Sequence, residues 1–273
     1  MIDITKIDEM EKEFLSHPRE SIIDIKEQNE KSISELMKLE IIKNRPDRLL
    51  LYDKFLGEYS TLIGCLMQRR IDINSVIKDD IGRIIHMQRI KEHSIILSEF
   101  TNADSVDATL ALGLSRAFSS SLELLWKKLK KIISLVGLNP NQKHLNIGQV
   151  SKKVKELESI YNILLPEINS LLDSKLRNCV GHEDTYFKAP DIIVFLETRN
   201  GESKVIKEFT LFEIQDTIIN LDLILNAFIS VENAVLEAYL TPLLKLTDEE
   251  LEEYCKTGKL TPEMEKKITE SSQ

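Results

Sequence analysis

Glycine and proline are scarce in this chain, nine and seven among 273 residues. A β-rich fold with many tight turns needs both residue types at its corners. Their scarcity excludes a loop-rich sandwich and favours long helices. Cysteine is scarcer still: Cys65, Cys179 and Cys255 stand far apart and form no C-x-x-C pair. Neither a disulfide scaffold nor a cysteine-based zinc site is expected, and the thiols read as reduced, in keeping with a cytoplasmic protein. No apolar run approaches the roughly 20 residues of a membrane span. The acidic stretch 1–9 lacks the apolar segment of a signal peptide, so no membrane association is expected. Basic charge is also in deficit. Lys and Arg number 36 against 45 Asp and Glu, a net charge of −9, which excludes bulk attraction to nucleic acid.

What is present is helical periodicity. Apolar residues recur near every 3.6 positions over 20–43 (Ile22, Ile25, Ile33, Leu36, Leu39, Ile42) and over 47–70 (Leu49, Leu50, Phe55, Leu62, Ile63). A third helix is expected over 74–100 with Asn74 as its N-cap. His86 and His93 share a face of that helix, with no carboxylate or cysteine at ligand spacing, so packing or surface roles are expected and no metal. Residues 101–104 open a very long helix to about Val136, and residues 137–141, Gly-Leu-Asn-Pro-Asn, break it. A lysine-rich helix over 146–157 follows, then an amphipathic run over 164–180 and a polar loop at 183–186. Residues 191–209 change to period two around Asn200-Gly201, a strong hairpin signal. Helical periodicity returns over 211–240 through Ile214, Ile218, Leu221, Leu225 and Phe228, before a short acidic helix at 248–254 and a weaker one after Pro262. The fold class is therefore all-α, a helical bundle with one β-hairpin insertion at about 191–209. Three regions are expected: an N-terminal helical region over 1–100, a four-helix domain over 101–240 and a short helical tail over 241–273.

The chemistry concentrates in Arg177-Asn178-Cys179-Val180-Gly181-His182. On an unbroken helix, residues five apart point about 140° away from each other. Gly181 removes that constraint, because glycine just past a helix readily takes the left-handed conformation and turns the chain. The turn brings His182 back towards Arg177 at a helix C-terminus, whose partial negative charge favours a protonated imidazole. A permanent cation beside a proton-transfer group suits attack on a phosphodiester. Arg, Gly and His are equally ordinary as plain capping residues at such a helix end.

The string Leu176-Arg177-Asn178, three further residues and His182 resembles the R-N-x-x-x-H form of the R-x(4–6)-H signature of the HEPN superfamily, with the likeness extending over about residues 101–240. The superfamily comprises compact helical domains, many of them metal-independent ribonucleases of toxin–antitoxin, abortive-infection and CRISPR-associated systems. The resemblance implies that Arg177 and His182 are the catalytic pair and that Asn178 orients them. It implies an endoribonuclease of toxin or antiviral-defence type in which the RNA 2′-hydroxyl attacks, leaving 2′,3′-cyclic phosphate and 5′-hydroxyl ends. No cofactor and no metal are implied. The partners implied are RNA, a second copy of the chain and an antitoxin or defence-system protein. Glu123 and Lys127, four apart on the long helix, resemble an acidic–basic pair that some members carry near the catalytic turn, though such pairs are common on any helix. Tyr186 is a further candidate, through its hydroxyl; some relatives place a tyrosine two residues after the histidine, where this chain has Asp184.

Charge distribution bears on the same question. Residues 116–177 hold eleven Lys and Arg against five Asp and Glu, a local +6, so the rest of the chain carries −15 to make −9. Lys128, Lys131, Lys152 and Lys153 are the candidate RNA contacts if these helices gather round the motif. A lysine run is also the ordinary solvated face of a helix. A catalytically inactive interaction module, or a nucleotide sensor using the same basic residues, is the rival function.

Overall fold

A computed structural model of the chain describes residues 18–20, 23, 45–77, 80–102, 107–139, 145–166, 168–171, 185–199 and 202–269. The helix expected over 20–43 falls almost wholly outside them. Two compact units divide the chain: Asp47–Ile229, and Met1–Pro46 together with Ser230–Gln273.

In the larger unit α1 (Pro46–Gln68) starts with proline at its first position, where a missing N–H costs nothing. Its stripe Leu51, Phe55, Tyr59, Leu62 and Leu66 is buried. A single turn, Asn74–Ile77, precedes α2 (Asp80–Asn102). Asn74, expected to cap, is instead the first helical residue, and its amide donates to Asp72 Oδ1 at 2.9 Å. Asp107 caps α3 (Ala108–Leu135), accepting from the Leu110 amide at 2.8 Å. The helix stops where Gly137 takes φ +76°, a conformation that favours glycine. The helix expected over 146–157 is α4 (Ile147–Tyr161), held by a reciprocal capping box between Asn146 and Gln149, both bonds 2.9 Å.

The next helix does not begin at 164. Leu164 and Leu165 lie in a loop where their amides donate to Glu58 Oε2 at 3.0 Å and Glu158 Oε1 at 2.8 Å. Helix geometry returns at Ile168–Leu171.

The hairpin is present as β2 (Ile192–Arg199) and β3 (Glu202–Thr210), antiparallel, with a register shift between Phe195 and Leu196. Residues 185 and 186, read from sequence as part of a polar loop, belong to a third strand, β1 (Thr185–Lys188), giving the order β1-β2-β3. Tyr186 and Phe187 suit a pleated surface, and β2 supplies a partner for every β1 residue. One sheet face packs on α3: the Phe195 ring meets Phe118 at 5.9 Å and Phe209 at 5.7 Å, both edge-on.

Helix α5 (Leu211–Leu240) buries Ile214, Ile218, Leu221, Leu225 and Phe228. Phe228 receives Phe55 and Tyr59 edge-on at 4.8 and 4.5 Å, and buried Arg48 of α1 pairs with Asp216. The run Leu211–Lys245 is long and apolar enough to cross a membrane by length and composition, its most apolar 18-residue window having a mean hydropathy of 1.4. Yet 61% of its most apolar window is buried within the fold, as in a core helix.

In the smaller unit a 3₁₀ turn (Thr241–Lys245), α6 (Asp248–Thr257) and α7 (Pro262–Thr269) enclose Leu243, Leu246, Leu251 and Met264. Thr247 and Glu250 form a capping box at α6. Arg19 bonds Asp248 Oδ1 at 2.7 Å and the carbonyls of Leu244, at 2.8 Å, and Leu246.

Candidate functional site

Arg177, Asn178 and His182 lie in 172–184, outside the described residues. The described chain brackets them: the turn Ile168–Leu171, whose Ile168 is fully buried, on one side, and β1, three residues past His182, on the other.

Along β1 side chains alternate between the two sheet faces. Thr185 stands opposite Phe195 and Phe187 opposite Ile193, on the face packed against α3. Tyr186 stands opposite Val194 and Lys188 opposite Ile192, on the other face. The Lys188 ammonium reaches across that face to Glu208 Oε1 at 3.2 Å. Tyr186 is 44% exposed, and among the described residues its hydroxyl has no hydrogen-bond partner.

Glu123 and Lys127 form an ion pair at 2.9 Å, with both side chains more than half exposed. Such i,i+4 pairs stabilise a helix by about 0.3–0.5 kcal/mol and are screened by salt. Helix α3 packs against α4, so the lysines of both helices belong to neighbouring elements. On α3, Lys127 and Lys131 centre the exposed face, while Lys128 and Lys130 flank the buried Leu129. Stems of that kind lie along apolar surface and keep the charge in water; the Lys130 ammonium rests 4.5 Å from the Trp126 ring centre. On α4, Lys152 and Lys155 are exposed and Lys153 pairs with Glu156 at 2.6 Å. Part of the basic charge is thus matched by local carboxylates.

The first residues of α3 and the end of α2 line a shallow cleft of about 530 Å³. Arg116 projects into it, but Glu99 and Asp107 share the lining and oppose an anionic ligand. Among the described residues no group of three or more His, Cys, Asp or Glu is placed to hold a metal ion.

One polar cluster was invisible in the sequence. His93 of α2, 2% exposed, sets Nδ1 3.0 Å from Asp222 Oδ2 of α5, and Ser121 of α3 donates to Asp222 Oδ1 at 2.7 Å. Burial makes it a packing feature, as expected for His93; the side chain of His86 is outside the described residues. The one available signal was Asp222 itself, a lone carboxylate inside Ile218-Ile219-Asn220-Leu221-Asp222-Leu223-Ile224. Comparison with known proteins finds no matching family model, no matching curated protein and no matching solved structure.

Proposed function

We propose that the chain is a metal-independent endoribonuclease of toxin or antiviral-defence type, working in the cytoplasm. The observation that carries this is the string Arg177-Asn178-Cys179-Val180-Gly181-His182, with its R-N-x-x-x-H spacing and a glycine where the chain must turn. Two features support it: the local charge of +6 over 116–177, and lysine-bearing α3, which packs both on lysine-bearing α4 and on β1, the strand that follows the motif. In the mechanism His182 assists attack of the RNA 2′-hydroxyl on the adjacent phosphate. Arg177 stabilises the negative charge that develops there, and Asn178 orients the pair. The products carry 2′,3′-cyclic phosphate and 5′-hydroxyl ends. No cofactor enters this chemistry, and the two proton transfers call for a second copy of the chain.

The test is incubation of purified protein with mixed RNA. Cleavage is expected in EDTA, with ends of the stated chemistry. His182→Ala or Arg177→Ala is expected to lower the rate by about 10²–10⁴ with folding unchanged. Activity abolished by EDTA and restored by Mg²⁺ would contradict the mechanism. A second reading has an observation in its favour: the ion pairs Lys127–Glu123 and Lys153–Glu156 are what the ordinary surface of a silent helical interaction module carries. Intact RNA under all these conditions would select it.

A further inference from the structure

We draw no further inference here: the strongest candidate, the shallow cleft between the end of α2 and the start of α3 lined by Ile96, Glu99, Asp107, Leu110 and Arg116, sets charges of both signs around an apolar floor, and nothing among the described residues shows what covers it.

Discussion

Asp222 is a carboxylate set in the apolar stripe of α5, with its side chain only 13% exposed. Burial of a charge is costly unless hydrogen bonds replace water. Here Ser121 and His93, from two other helices, supply them at 2.7 and 3.0 Å. The carboxylate is the shared acceptor, so the three residues are not equivalent. Asp222→Ala leaves two buried groups without it and is expected to cost about 2–3 kcal/mol. Ser121→Ala removes one donor and leaves the other, for about 1 kcal/mol. Urea unfolding of the two variants measures the difference. Equal losses would show that the carboxylate does not organise the cluster. None of this was legible in the sequence, because the partners lie 129 and 101 residues from Asp222. The sequence displayed only the spacing of His93 and His86 along one helix and the lone carboxylate of Asp222 in an apolar run.

At the level of elements, legibility followed the length of the periodic signal. The stripes of α1, α3 and α5 span six or more turns and were readable within a few residues. So was the hairpin, where Asn200-Gly201 interrupts two β-branched runs. Strand β1 is four residues long, too short for alternation to show, and it exists because β2 offers it an edge. Helix geometry returns at Ile168 and not at 164, because Glu58 and Glu158 capture the amides of Leu164 and Leu165, contacts that no periodicity reveals. In the candidate site the motif string and the Glu123–Lys127 spacing were legible. The exposed placement of Tyr186 was not, since it depends on sheet register.

The junction of β3 with α5 carries a further prediction. Glu213 Oε2 accepts from the Thr210 amide at 2.8 Å and the Thr210 hydroxyl at 3.0 Å. The backbone hydrogen bond from Thr210, first among several causes, holds the Glu213 carboxyl below its usual 4.5. A carboxyl depressed on folding adds stability that is fully present above its unfolded value and is lost as pH falls through the folded value. The stability advantage of the unsubstituted protein over Glu213→Gln is therefore expected at neutral pH and should shrink below about pH 4.5. The effect is small because Glu213 is exposed. Thermal melts from pH 3 to 7 check it, and a gap constant across that range would contradict the assignment.

For the whole molecule, charge and chemistry point to assembly. A chain of net −9 that concentrates +6 in residues 116–177 has a reason to duplicate that segment about a two-fold axis, where two basic surfaces add. Proton accounting asks for the same thing. Attack by the 2′-hydroxyl needs a base, and departure of the 5′-oxygen needs an acid. Arg177 stays protonated throughout, so one motif offers a single proton-transfer group, His182. Two motifs facing each other would supply both, with Lys128, Lys131, Lys152 and Lys153 as the candidate contacts to the RNA backbone. A homodimer is therefore expected, with twice the chain mass of 31.4 kDa by light scattering. Cleavage per chain should fall on dilution through the dissociation range and recover on concentration. Added salt should weaken RNA binding through loss of the counterion-release term. An antitoxin or defence-system partner that completes the motif instead would leave this chain monomeric and inactive by itself. A monomer that cuts RNA at its full per-chain rate at high dilution would show the paired-motif mechanism to be wrong.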